Sequence, residues 1–268
     1  MGCAPSSELA KRLDLNKAIP DQYETFEQLQ DELRRQGLES SNLILGVDYT
    51  KSNTWTGKTS FQGRCLHEID PSGFLMNPYQ SVISIIGRTL EPFDDDNLIP
   101  TYGFGDASTS DKAVFPFKRD GDPCQGFDEV LRRYSEITPQ LVLAGPTNFA
   151  PIIHEAIRLV KTTNSYHILV IIADGQVTNE KDTSAAIVEA SKYALSIIVV
   201  GVGDGPWDLM EHYDDSLPAR RFDNFQFVDF NKVMKLNQIK PDVGFATAAM
   251  MEIPEQFKII RSLGYLNG

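Results

Sequence analysis

The segment DYTKS, residues 48–52, sets Asp48, Thr50 and Ser52 at alternate positions directly after an apolar run. Alternate side chains of an extended chain share a face, so an acid and two hydroxyls would point the same way. Two further oxygen-bearing residues stand near predicted strand ends. Thr147 lies in the loop LAGPTNFAP just before a helix, and Asp174 lies in ADG after a buried strand. Carboxylates and hydroxyls in this mixture suit a hard divalent cation: Mg²⁺ takes octahedral oxygen ligands and keeps several waters. The carboxylates balance the charge of the ion, while the hydroxyls add none. The metal therefore stays electrophilic and can take an outside carboxylate as its last ligand. The expected set is Asp48, Thr50, Ser52, Thr147 and Asp174 around Mg²⁺, with Mn²⁺ or Ca²⁺ as alternatives. Asp106, in GFGDAS at the end of the second predicted strand, and Asn53 are candidates for the layer behind the ligands, and Asp106 reads equally well as a turn residue. The plainer reading of Asp48 and Asp174 is that they cap turns and helices.

The elements that must position these residues alternate between strand and helix periods. NLILGVD, YHILVIIADG and LSIIVVGVGDG read as strands, the latter two apolar on both faces and hence central. LIPTYGFGD reads as a second strand, AVFPF as an edge strand because of Pro116, and FQFVDF as the last strand. Helices are expected at PYQSVISIIGRTLEPF, GFDEVLRRYSEI, APIIHEAIRLVKT, SAAIVEASKYA and PWDLMEHY, with a C-terminal helical region interrupted or restarted at Pro254. Residues 51–75 read as a long polar loop. This alternation predicts an α/β fold with a doubly wound, mostly parallel sheet and helices on both faces. In such sheets ligands bind beyond the carboxyl ends of the strands at the topological switch point. Ahead of it, residues 1–21 read as a polar tail. Residues 22–41 hold an accessory helix with Phe26, Leu29 and Leu33 on one face, and residues 42–268 form the main domain.

The net charge of −12 argues against non-specific nucleic-acid binding and against a polybasic membrane patch. The three cysteines, Cys3, Cys65 and Cys124, are dispersed, so no zinc-cluster pattern is present. No run of about 18 apolar residues offers a membrane span. The start MGCAPSS matches the N-myristoylation pattern at Gly2, with Cys3 as a candidate palmitoylation site. Two acyl chains make a stable anchor where one holds weakly. The expected location is the cytoplasmic face of the plasma membrane, with cytoplasm and nucleus also open.

Rival readings fit less well. GKTS at residues 57–60 resembles the end of a P-loop, but Ser52 occupies the position of its first glycine. GVGDG at 201–205 has the wrong glycine spacing for a dinucleotide site and reads as a turn. EPFDDDN and EHYDDS lack the alternation of a calcium loop. His67, His154, His167 and His212 are scattered, and no nucleophile motif accompanies them.

The DxTxS pattern, the distant Thr147 and the distant Asp174 resemble the metal-ion-dependent adhesion site of von Willebrand factor A domains. That family usually has DxSxS, and Thr50 keeps the hydroxyl. The longer tracts NLILGVDYTKSN, NPYQSVISIIGRTL, AGPTNFAPII, ILVIIADGQVT and FDNFQFVDF are similar to the copine subgroup, and to the copine-type domain of plant RING-type ubiquitin ligases, over roughly residues 25–262. The resemblance implies a partner-binding module whose metal takes an acidic side chain from another protein. Copines carry two C2 domains and the ligases a RING, and the sequence shows neither. The resemblance therefore implies the substrate-binding part of ubiquitination, with a RING ligase or its substrate among the partners, more than ligase chemistry itself.

Overall fold

The computed structural model describes residues 23–175, 177–217 and 219–266. Gly2 and Cys3, and the tail expected to be acylated, lie outside them.

Helix α1 (Phe26–Arg35) is capped by Thr25, whose hydroxyl accepts from Gln28 N at 3.3 Å. Its buried face carries Leu29 and Leu33, and Gln30 Nε2 donates to Arg88 O at 2.8 Å. Strand β1 (Asn42–Asp48) follows and is buried from Leu43 onward. The polar stretch after it is not featureless: Lys51–Thr54 forms a 3₁₀ turn. Helix α2 (Pro78–Leu90) opens on a reciprocal cap in which Asn77 and Gln80 each bond the other's backbone N–H.

The tract expected as one strand at LIPTYGFGD is two. Pro100 has no N–H to continue a ladder, so pairing changes there. On one side β2 (Leu98–Ile99) lies in a separate two-stranded ribbon, and on the other β3 (Thr101–Phe104) joins the main sheet. β4 (Phe115–Pro116) runs antiparallel to β3 at the sheet edge, where its proline is tolerated. β5 (Cys124–Gln125) is the antiparallel partner of β2. There follow α3 (Gly126–Ile137), α4 (Ala150–Thr163), β6 (His167–Ala173), α5 (Glu180–Ala190), β7 (Leu195–Gly201), α6 (Asp208–Ser216) and β8 (Phe225–Asp229). Helix α5 starts earlier than its apolar pattern because the Asn179 side chain accepts from Asp182 N. Asp229 likewise caps a short helix, α7 (Phe230–Leu236), that periodicity alone did not reveal. The C-terminal region is two helices, α8 (Pro241–Met250) and α9 (Ile253–Ser262), with Pro254 in the first turn of α9.

The main sheet has the order β4-β3-β1-β6-β7-β8, with all neighbours parallel except β4 and β3. β6 and β7 are buried along their whole length, as expected for strands covered on both faces. α4 packs on α5, while α2 packs on α1, α3 and α8. From β1 the chain crosses to β3 on one side, then returns to β6 on the other. The switch point therefore lies between the carboxyl ends of β1 and β6, where Asp48 and Asp174 emerge.

Candidate metal centre

Asp48 is the last residue of β1, and Asp174 directly follows β6. Both are fully buried. The chain then turns sharply rather than staying extended, which corrects the expectation from strand alternation. The 3₁₀ turn at Lys51–Thr54, not a shared strand face, brings Thr50 Oγ1 to 2.9 Å from Ser52 Oγ. Ser52 Oγ donates to Asp174 Oδ1 at 3.1 Å. Thr147 Oγ1 reaches Thr50 Oγ1 at 3.5 Å. Four of the five expected residues thus form one hydrogen-bonded chain, three hydroxyls ending on the Asp174 carboxylate. Asp48 joins it through the backbone, its Oδ1 accepting from Thr50 N at 2.8 Å.

Thr147 is delivered by a segment laid beside the end of β1. Thr50 and Ala144 form a parallel bridge, Lys51 N donates to Ala144 O at 2.8 Å, and Thr178 N donates to Thr147 O at 2.8 Å. Asp106 is not among the clustered groups: its carboxylate accepts from Ser108 Oγ, Thr109 N and Thr109 Oγ1. It closes its own turn, and its backbone bridge to Leu143 steadies the Thr147 segment. Asn53 lies against the backbone of the clustered residues. Its Nδ2 donates to Thr50 O at 3.0 Å, and its Oδ1 accepts from Tyr79 OH at 2.7 Å.

Burial first, and the charge of Asp174 second, push the Asp48 carboxyl well above the usual carboxylate range. Burial also raises Asp174, against hydrogen bonds from Thr56 and Ser52. Asp48 Oδ2 is buried and meets no N–H or O–H donor, while its carboxyl faces that of Asp174. An acceptor-only oxygen of this kind costs free energy unless a cation or proton meets it. The donor set, two carboxylates and three hydroxyls, fits a hard cation with water completing its shell. Among the described residues no group of three or more His, Cys, Asp and Glu gathers around a common point. The candidate centre combines two carboxylates with three hydroxyls instead.

Three contributors were not legible in the sequence. Thr56 Oγ1 donates to Asp174 Oδ2 at 2.6 Å. Asp204, in the GVGDG turn, accepts from Thr59 N and Ser60 N at 2.7 and 2.8 Å, so the amides of GKTS hold a carboxylate of this chain. His67 is buried between Tyr49 and Tyr79, with ring centroids at 4.6 and 4.0 Å. A carbonyl only accepts, so His67 Nε2 carries the proton and donates to Asp48 O at 2.7 Å. Nδ1 is then the acceptor for Tyr134 OH at 2.8 Å. Thr56 and His67 lie in a polar loop with no periodicity and Asp204 in a glycine turn, and only the fold brings them to the strand end.

Burial holds the His67 imidazole down to about 3 from the ordinary 6.5. The unfolded ring takes up a proton below 6.5 while the folded one does not. Its stabilising effect is therefore complete above 6.5 and drains as the pH falls toward 3. His67→Gln, which keeps a donor in reach of Asp48 O, should flatten this slope by about 1.4 kcal/mol per pH unit below 6.5. Urea unfolding at pH 7 and pH 5 measures it. The same acid dependence in both proteins would rule out a buried neutral His67.

The doubly wound sheet, with carboxylates and hydroxyls gathered at its switch point, is that of a von Willebrand factor A-type domain. The copine profile matches residues 65–267, and the chain belongs to the copine family. It is similar to E3 ubiquitin-protein ligase RGLG4 of Arabidopsis thaliana, 50% identical over 98% of this chain and 71% of that protein. E3 ubiquitin-protein ligase RGLG2 of the same plant is 53% identical over 98% of this chain and 59% of its own length. The chain thus spans less than two thirds of the second. Among solved structures, manganese-loaded Plasmodium vivax TRAP protein shares the fold at a TM-score of 0.50 and 14% identity, covering 77% of this chain and 74% of that one.

Proposed function

We propose that the chain is a divalent-cation-dependent protein-binding module. Asp48, Thr50, Ser52, Thr147 and Asp174 would hold Mg²⁺, with Mn²⁺ or Ca²⁺ able to replace it. When bound, the ion supplies an electrophilic position for a carboxylate from the partner. The observation that carries this reading is the buried Asp48 Oδ2, which no N–H or O–H donor reaches, facing Asp174 beside a chain of hydroxyls that ends on that same carboxylate. The manganese in the Plasmodium protein is consistent with a divalent ion on this fold. Capture from cell extract in Mg²⁺, in EDTA and with Asp48→Ala tests it. Partners retained only by the wild type in Mg²⁺ are expected, and identical captures in all three would overturn the reading.

The two Arabidopsis thaliana relatives are ubiquitin ligases by name. In that setting we assign this chain the selection of the protein to be modified. We also propose N-terminal acylation as the membrane tether, on the MGCAPSS pattern. Gly2→Ala should shift the protein from the membrane to the soluble fraction of a cell lysate, with Cys3→Ser weakening retention less completely. A wild type already wholly soluble would remove the tether from the proposal.

A further inference from the structure

Nine large apolar side chains are exposed among the described residues, and five of them, Trp55, Phe74, Leu75, Met76 and Val142, stand on loops that carry or flank the metal residues. Trp55 is 59% exposed and shares a cleft of about 310 Å³ with Lys51, Thr50, Ser52 and Thr147. Phe74, Leu75 and Met76 are 89%, 65% and 52% exposed. They are braced outward by Asp70, whose carboxylate accepts from Phe74 N and Leu75 N at 3.1 and 3.0 Å. Their loop leads directly into α2, where Tyr79 OH donates to Asp48 O at 3.2 Å. The three residues from Met76 to Tyr79 span at most about 11 Å. Val142 lies two residues before Ala144, which bridges Thr50. Trp55, Phe74, Leu75 and Met76 thus stand on one connection, that from β1 to α2, whose start carries Thr50 and Ser52, and Val142 stands on the segment that delivers Thr147. Exposed apolar side chains gathered at one site mark an interaction surface, whereas scattered ones do not.

Charge selects the occupant. The chain carries a net charge of −12, so polyacidic partners and anionic membranes are repelled as a whole. At the mouth of the cleft the positive groups are Lys51 and the bound ion. A single carboxylate is welcome there, but a second one beside it would face apolar side chains. We infer that this rim reads the residues next to the ligating acid. The partner is a protein segment in which one Asp or Glu is flanked by large apolar side chains, with Trp55 and Phe74 packing on them.

This inference rests on the metal-dependent reading, so the test separates the two. A displayed peptide library with a fixed central Asp is selected on unacylated wild type in Mg²⁺, on wild type in EDTA, and on Trp55→Ser and Phe74→Ser. The Mg²⁺ shift in melting temperature is measured for each protein. Both substituted side chains are exposed, so folding and metal binding should be retained. The expected result is enrichment of large apolar residues beside the Asp on wild type in Mg²⁺, reduced about tenfold or more by Trp55→Ser, with the melting shift unchanged. Peptides with polar or acidic flanks, or equal selection by Trp55→Ser, would overturn the inference and leave the metal reading intact. A missing melting shift in the wild type would remove both. Flotation with phosphatidylcholine vesicles, independent of Mg²⁺ and lost in Phe74→Ser, would overturn it in favour of a lipid surface.

Discussion

Mg²⁺ at about a hundredfold excess over its dissociation constant is expected to add about 2.7 kcal/mol to folding stability. For a domain of this size that is a rise in melting temperature of about 5–10 °C. Asp174→Ala should abolish the rise. In EDTA the same variant should be as stable as the wild type or more so, because two buried carboxylates repel when no ion lies between them. The pH dependence follows from the raised values of both groups. In EDTA the folded state holds these protons more tightly than the unfolded state does. The stability they contribute is therefore full below the ordinary carboxylate range and is lost as the pH climbs through the raised values. The ion takes the place of those protons, so the Mg²⁺ shift should grow with pH. Thermal melts at two pH values with Mg²⁺ and with EDTA decide the matter. Coincident curves at neutral pH would remove the metal from the site.

Gly203→Ala is expected to be the most damaging small substitution near the site. A Cβ there would lie 2.0 Å from the backbone O of Asp174 and 2.9 Å from its carbonyl carbon. Neither partner yields easily. Asn231 Nδ2 donates to the carbonyls of Val202 and Gly203 at 3.0 Å, and Val202 N donates to Ala173 O at 2.9 Å. Overpacking of this kind costs about 1–3 kcal/mol even where side chains can adjust, and here it falls on backbone. Asp174 must move, so the Mg²⁺ shift should disappear along with part of the stability. Gly175→Ala is the control, since its Cβ would meet nothing within 4 Å. Calorimetry of both variants with and without Mg²⁺ would tell them apart. A Gly203→Ala protein with the wild-type metal response would show that the close approach is not needed.

The central strands were readable because β6 and β7 are buried on both faces and carry uninterrupted apolar runs. The five site residues were readable because a parallel sheet gathers strand ends, and acids and hydroxyls stood at those ends. What escaped was set by contacts across the chain. Ser52 meets Thr50 through a 3₁₀ turn that the alternation of DYTKS does not announce. His67 and Thr56 sit in a loop whose composition says only that it is polar, yet one bonds Asp48 O and the other Asp174. The P-loop-like GKTS has a physical explanation. Its consecutive amides do bind an anion, and that anion is Asp204. Pro100 shows the same limit at the level of strands, where one missing N–H divided a segment that apolar pattern alone had joined.

The hydrogen bonds that assemble the site join residues 97 and 122 positions apart in sequence. No local segment of the chain contains the ligand set, and a partly paired sheet lacks it too. Contacts of such sequence separation are costly to close early and make folding slow. An ion that needs all of them is bound by the finished sheet and by little that precedes it. Mg²⁺ would accordingly act on the escape from the native state and not on the approach to it, lengthening the lifetime of the fold while leaving its rate of formation nearly untouched.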